Sequence, residues 1–244
     1  RSSDLANCAG GIAGEMGYGA TIEECTFSGI IKGTSLVGGI AGKIQGGGTI
    51  ANCYSNAAVS AEGDSAGGIC GCVLTGNSDS AVNAQISNCY SAGTVTGASS
   101  GAITGTHNIQ EKNAVTKNTV SYQNCYYLSS VNTLALSDMT SNDIQKLSEE
   151  ELKKSAAVIM PDGLLVGAAA SQNDGFPVFR WLSSAGDINQ DDTVSALDAV
   201  SLQKYLLASE TFSKEQWEAA DLNHDGNVNI YDLILLKRKV INNR

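Results

Sequence analysis

One short unit is written four times in the first half of this chain, and a unit too small to enclose a core can fold only by stacking on its own copies. Its first element is Gly-Gly-Ile-x-Gly, at Gly10–Gly14, Gly38–Gly42 and Gly67–Gly71, with a worn copy at Gly101–Gly105. Its second ends in a cysteine: Thr-Ile-Glu-Glu-Cys25, Thr-Ile-Ala-Asn-Cys53, Gln-Ile-Ser-Asn-Cys89 and Ser-Tyr-Gln-Asn-Cys125, followed by Thr26, Tyr54, Tyr90 and Tyr126. From cysteine to the next motif isoleucine is 15, 16 and 14 residues, while from isoleucine to the following cysteine is 13, 13, 20 and 22. Extra residues therefore enter at one point of the unit, at 75–84 and 106–119. The rows Ile22/Ile50/Ile86, Cys25/Cys53/Cys89/Cys125 and Ile31/Val59/Val95 are the apolar ladders a stack would bury. β-branched residues suit the straight runs, and glycine at repeated positions is expected at corners with φ > 0. The prediction is an all-β solenoid of roughly four coils over residues 1–130.

Composition sets that half apart. Residues 1–130 hold 22 of the 27 glycines and 13 charged side chains, whereas residues 186–244 hold two glycines and sixteen charges. A net charge of −10 argues against a nucleic-acid partner, because phosphate contacts need clustered Lys and Arg and the one trio is Lys237-Arg238-Lys239. No apolar run is long enough to span a bilayer, so no membrane insertion is expected. The chain opens Arg1-Ser2-Ser3 and is expected to be a piece of a longer protein. Seven cysteines, five at one repeat position, suit free buried thiols better than a disulfide framework. With His107 and His224 the only histidines, no zinc site of familiar spacing can be drawn.

Gly-Gly-Ile-x-Gly followed by Ile-x-x-Cys-Tyr-Ser-x-Gly-x-Val resembles the GLUG-repeat segments of bacterial surface and secreted proteins, over about residues 5–130. The resemblance implies a β-helical stalk or adhesive region.

After Val131 the repeat stops. Asp143–Leu147 is expected as a short turn, and Ser148-Glu-Glu-Glu151 is a capping box that starts a helix. Asn173-Asp-Gly-Phe-Pro-Val-Phe-Arg-Trp181 is a turn leading into an apolar strand. Residues 131–185 are expected to cap the open end of the stack, with Phe176, Phe179 and Trp181 as plugs.

The tail carries two twelve-residue loops 34 residues apart. Asp187, Asn189, Asp191, Ser195 and Asp198 stand at positions 1, 3, 5, 9 and 12 of the first, and Asp221, Asn223, Asp225, Asn229 and Asp232 at those of the second. Thr193 and Asn227 offer backbone carbonyls at position 7. Calcium wants six to eight oxygens, and alternate residues of a tight loop deliver them to one centre, so two Ca²⁺ are expected. Each loop runs into an amphipathic helix, with Val200, Leu202, Leu206 and Leu207 after the first and Leu233, Leu235, Leu236 and Val240 after the second. A third helix starts at Ser213-Lys-Glu-Gln216.

Duplicated Asp-x-Asn-x-Asp-x-x-Val-x-x-x-Asp followed by a helix resembles a type I dockerin, over residues 186–244. That resemblance implies calcium-dependent docking to a cohesin module of a scaffoldin or cell-surface anchor, as in cellulosome-type assemblies of anaerobic bacteria. It implies cohesin contacts at Ala196, Leu197 and Lys204 in one half and at Ile230, Tyr231, Lys237 and Arg238 in the other. Unequal bulk in the halves favours one orientation, led by Ile230 and Tyr231. Asp192 replaces the usual glycine at position 6 of the first loop.

The chain is thus expected to be multidomain: a GLUG-type solenoid at 1–130, a capping segment at 131–185 and a small all-α dockerin at 186–244. The expected function is non-catalytic, secreted or attached to the cell surface, with the solenoid adhesive, carbohydrate-facing or a spacer, and a plant or host polysaccharide as its further ligand. The alternative is the C-terminal part of a secreted polysaccharide-degrading enzyme or protease delivered by its dockerin. Such chemistry needs paired carboxylates or a base opposite an acid, and Glu15, Glu23, Glu24, Glu62, Asp64, Asp79 and Glu111 recur at no common repeat site.

Overall fold

The computed structural model describes residues 7–76, 81–110, 117–160, 164–168, 173–180, 182, 185–191, 193–223 and 225–242. The chain divides into two compact units, Arg1–Gly163 with Gly167–Pro177, and Leu164–Val166 with Val178–Arg244.

The first unit is built of parallel sheets to which successive rounds of the chain each add strands. One sheet stacks Cys8–Gly10, Leu36–Gly38, Ser65–Gly67 and Ser99–Gly101, and a second stacks Ala13–Met16, Ala41–Gln45, Cys70–Leu74 and Thr104–Asn108. A third stacks Ala20–Glu23, Gly48–Ala51, Asn83–Ser87 and Thr119–Gln123. The fourth runs from Thr26–Gly33 through Tyr54–Ala61, Tyr90–Ser91 with Val95–Thr96, and Cys125–Leu128 to Ile144–Leu147. Register follows the sequence repeat. Ile22 pairs with Ile50, Ile50 with Ile86 and Ile86 with Tyr122. Thr26, Tyr54, Tyr90 and Tyr126 form another row, as do Ile31, Val59 and Val95. A parallel in-register pair places like side chains in contact on the same face; the Ile22 row joins the core in which Ile40, Ile44, Ile50, Ile69, Ile86 and Ile103 are fully buried, and the Ile31 row forms a second cluster with Val37, Ala57 and Ala66.

The motif glycines do a different job from the one expected. None of those in the Gly-Gly-Ile-x-Gly copies has positive φ. They allow backbone to approach backbone: a Cβ added to Gly38 would lie 1.9 Å from the Ala41 carbonyl oxygen, and one on Gly39 2.0 Å from that of Gly68. The left-handed corner sits just before the cysteine, at Glu24, Asn52, Asn88 and Asn124, with φ of 52°, 51°, 51° and 53°. Asparagine tolerates that conformation better than other side-chain-bearing residues, and here its amide is also used across the stack. Asn124 Nδ2 donates to Asn88 Oδ1 (3.1 Å), Asn88 to Asn52 (3.0 Å) and Asn52 to Glu23 Oε1 (3.3 Å).

All seven cysteines are free, and all but Cys8 and Cys25 are buried. Cys53 and Cys89 donate to the carbonyls of Ala51 and Ser87, each at 3.1 Å. Burial pushes the Cys70 and Cys89 thiols well up, away from the reactive thiolate.

Ile144–Leu147 is a strand, not the expected turn. It pairs in parallel with Cys125–Leu128, because Ile144 falls opposite Cys125 and extends its buried row. Leu134 and Ala135 add a further partial layer, accepting from Ala102 N (2.8 Å) and Ile103 N (2.9 Å). Asp138 holds this layer through His107, whose backbone N–H and ring Nδ1 reach its two carboxylate oxygens at 2.7 and 2.5 Å. Helix α1 (Glu149–Lys153) starts at the capping box foreseen at Ser148, and α2 (Ala156–Ile159) follows. Phe176 is buried in this unit with Lys153 Nζ 5.3 Å over its ring, whereas Phe179 is buried in the second unit. The two rings expected to plug one opening are therefore divided between units, and Trp181 lies outside the described residues.

In the second unit Leu165–Val166 pairs antiparallel with Val178–Phe179. Three helices follow: α3 (Ala196–Leu206), α4 (Lys214–Ala220), which starts at the expected capping box of Ser213 and Gln216, and α5 (Ile230–Asn242). Their core is Ile188, Ala199, Leu202, Ala220, Leu233 and Leu236. Val200 and Leu207, expected on the buried stripe of α3, are exposed instead. Two short helices packed on each other bury only a narrow seam, which Ala199 and Leu202 fill on α3. Lys239 Nζ donates to the Ala185 carbonyl (2.6 Å), fastening the two ends of this unit together. Among the described residues no helix is long and apolar enough to cross a membrane.

Candidate functional site

The two loops of the tail share one set of hydrogen bonds made by positions 1, 3, 5, 9 and 12. In the first, Asp198 is fully buried and its carboxylate accepts from Ile188 N (2.8 Å), Asn189 N (3.1 Å) and Ser195 N (2.7 Å). In the second, Asp232 is equally buried and accepts from Leu222 N (3.0 Å), Asn223 N (3.4 Å) and Asn229 N (2.8 Å). Position 12 thus ties the beginning of each loop to the first turn of the helix after it. Ser195 caps α3 by accepting from Leu197 N (3.1 Å), and Asn229 Oδ1 accepts in the same way from Tyr231 N (2.8 Å).

The remaining expected ligands lie together within each loop. Asp191 N donates to both Asp187 Oδ1 and Asn189 Oδ1 at 3.1 Å, which brings those two oxygens within reach of one hydrogen. Asp225 N does the same with Asp221 Oδ1 (3.2 Å) and Asn223 Oδ1 (3.1 Å). Asp191 accepts from Asn189 Nδ2 (2.8 Å) and Thr193 N (3.0 Å), and Asp225 from Asn223 Nδ2 (2.9 Å) and Asn227 N (2.8 Å). The amide of Asn189 holds the Asp191 carboxyl below the usual carboxylate range, and that of Asn223 does so for Asp225. The Asn227 carbonyl accepts from Asn229 Nδ2 (3.1 Å). Gly226 takes φ of 77° at the sharp turn of the second loop, while Asp192, its counterpart in the first, lies outside the described residues.

The side chains available are hard oxygen donors throughout, the chemistry a calcium ion requires. The carboxylates alone do not make a cluster: among the described residues no three His, Cys, Asp or Glu gather in a metal-holding arrangement. Asp198 and Asp232 are directed at backbone N–H groups, while the oxygens of positions 1 and 3, one of them an asparagine's in each loop, accept from the same backbone N–H.

Beyond the loops, the helices present apolar side chains to solvent at equivalent places. Leu197 and Tyr231 are 62% and 67% exposed, and Ile230 is 55% exposed. Val200 and Ile234 follow one turn on, and Leu207 and Ile241 near the two C-terminal ends, all of them exposed. Ala196, Lys204, Lys237 and Arg238 are exposed beside them. Lys204 Nζ lies 3.8 Å from Glu210.

Three of the carboxylates considered for catalysis in the β unit are engaged separately. Glu15 pairs with Lys43 (3.0 Å), Glu23 accepts from Asn52 and Asp64 accepts from Ser35 Oγ (3.2 Å). Asp79 and Glu111 lie outside the described residues.

Residues 185–241 match the family model of the dockerin type I domain, a calcium-binding module whose partner is a cohesin. The chain is also similar to the crystal structure of a "putative immunoglobulin A1 protease" from Bacteroides ovatus, with 27% identity and a TM-score of 0.51 over 72% of this chain. The match spans about half of that protein, 54% of its length. None of the curated proteins matches.

Proposed function

We propose that this chain is a non-catalytic extracellular component that attaches through its C-terminal module to a cohesin of a scaffoldin or cell-surface anchor, with the β unit, a four-coil β-solenoid, as the part so attached. The observation that carries the reading is the duplicated loop and helix within the dockerin match. Two loops with one bonding pattern begin two helices that expose equivalent apolar residues. Each loop would hold one Ca²⁺ through Asp187, Asn189, Asp191, Thr193, Ser195 and Asp198, or through Asp221, Asn223, Asp225, Asn227, Asn229 and Asp232. When bound, the ion supplies positive charge that offsets the mutual repulsion of the loop oxygens, so binding and folding are coupled.

Ala196, Leu197, Lys204, Ile230, Tyr231, Lys237 and Arg238 form the proposed cohesin contacts. Tyr231 is the largest exposed side chain among them, and an aromatic anchor beside an aliphatic one is the better hot spot, so the half led by Ile230 and Tyr231 dominates docking. Titration calorimetry against a panel of cohesins, with calcium and with EDTA, tests this. Calcium-dependent binding that weakens by roughly tenfold or more when Ile230 and Tyr231 are both changed to alanine supports the reading. Unchanged affinity in the double variant would remove the contact assignment, and no calcium uptake by the chain would remove the docking function.

A second reading, that the β unit belongs to a secreted enzyme delivered by this module, is favoured by the likeness to the Bacteroides ovatus structure alone.

A further inference from the structure

We propose that Asn173–Pro177 is a tension anchor: pulling on the C-terminal module is taken up by the second and third rounds of the stack before the closing end of the stack can peel. The proposal rests on the attachment reading above, since a tethered module is one that is pulled.

The chain crosses between the two units at 163/164, 166/167 and 177/178, and the last of these crossings, from Pro177 to Val178, leads on to the tail helices. Immediately before that point a five-residue segment is bonded to the flank of the stack through Asn173 and Pro177. The Tyr90 hydroxyl donates to the Pro177 carbonyl, and Asn173 Nδ2 donates to the Tyr90 hydroxyl oxygen at 2.9 Å. Asn56 Nδ2 donates to Asn173 Oδ1 at 3.2 Å. Tyr90 is fully buried and stacked on Tyr54, with centroids 4.8 Å apart and planes within 5°. Asn56 and Tyr54 belong to the second round and Tyr90 to the third, so each of these strands is bonded to a neighbouring round on both sides. Phe176, with Lys153 over its ring, adds a hold on α1.

The backbone of this strap is also more constrained than a connection requires. Asn173, Asp174 and Gly175 take φ of 49°, 54° and 80° in succession, and two of the three are not glycine. Such a run persists only where side-chain bonds over-determine it. Here Phe176 N donates to Asn173 O (2.9 Å), and Asn173 Nδ2 reaches the Phe176 and Pro177 carbonyls at 3.3 Å.

The consequence is mechanical. Without the strap, force arriving at Val178 would open the two-residue pair of Leu165–Val166 with Val178–Phe179 and then travel back along the chain to α2, α1 and Ile144–Leu147. That strand is the last of its sheet, bonded to a neighbour on one side. An edge strand can separate one row at a time, whereas Tyr90 cannot move without disturbing two sheet neighbours and the ring stacked on it.

The full chain held by handles at its two ends, in calcium buffer, tests this under constant force. Apart from the opening of the helical tail itself, the wild type should show no extension step before the β unit opens. Tyr90→Phe keeps the ring stack and removes both strap bonds to the hydroxyl. It should release the slack of residues 167–177 at low force, as soon as the pair of Leu165–Val166 with Val178–Phe179 opens, with that step roughly tenfold faster. Asn56→Ala, at a half-buried surface position, should show the same early step with a smaller acceleration, and it decides the matter if the Tyr90 variant fails to fold. Identical step order and rates in wild type and Asn56→Ala would overturn the proposal. So would a wild-type step of the length of residues 167–177, distinct from the opening of the tail, before the β unit opens. The handles are covalent, so a failure of cohesin binding in calorimetry would count against the attachment reading and leave the force result standing.

Discussion

The β unit and the helical tail solve the same problem, holding short elements in place, by opposite means. In the β unit the organising contacts join residues one repeat apart, and the main core is built of isoleucine and cysteine rows. In the tail the organising contacts are local and polar: a buried aspartate reaches back ten residues to close each loop, and each helix is fixed at its first turn. A stack of rows loses stability gradually as rows are damaged. A pair of polar loops depends on charge being balanced at two small places.

The comparison is broken most severely by chelation. EDTA should abolish the helical circular dichroism signal of the tail and its thermal transition, and leave the β signal of the first unit unchanged. If both units came through unaltered, calcium would have no part in either. Asp232→Ala should be next: three backbone N–H groups in a buried place lose their acceptor, costing about 3–5 kcal/mol. Calorimetry should show that loss in the tail transition alone, and a matching loss in the β transition would mean the units are not independent. Ile86→Ala reverses the experiment. Removing a fully buried isoleucine from the middle of a row should cost about 3–4 kcal/mol, read as a lower melting temperature of the β unit with that of the tail unmoved. The smallest effect sharpens the comparison within the stack itself. Glu24→Asn puts at the left-handed corner the residue found in the other three rounds, and should raise the denaturation midpoint of the β unit by the equivalent of about 0.5–1 kcal/mol. A destabilised variant would mean that the glutamate side chain makes up for its backbone.

The rows were legible in the sequence because parallel in-register pairing turns a one-dimensional repeat directly into a set of neighbours. Ile22, Ile50 and Ile86, or Ile31, Val59 and Val95, sit at matched places in the repeat and are side by side in space. The capping boxes of α1 and α4 were legible for a related reason, since they depend on residues three apart. What could not be read were contacts without periodicity. Asn173 meets Tyr90 and Asn56 across 83 and 117 residues. Ile144 becomes a strand because of the row it extends, not because of its neighbours in sequence. The glycines were recognised as essential, but for the wrong reason: spacing reveals that a side chain is missing and not whether the vacancy serves an angle or a close approach. In the tail, the duplication of the loop was visible from sequence, while the use of Asp198 and Asp232 as backbone acceptors was not.

The amide row along the corner of the stack has a sense. Tyr126 gives its proton to Asn124, and each asparagine then donates to the one in the preceding round until the last meets the Glu23 carboxylate. All the carboxamide dipoles therefore point one way, and an anion stands where their positive ends converge. The rounds are consequently not interchangeable. Duplicating an asparagine-bearing round would lengthen the relay without interrupting it, while moving the glutamate-bearing round inward would set an acceptor where a donor is needed. Growth of such an array by copying is confined to its interior, and the polarity of one line of side chains sets that grammar.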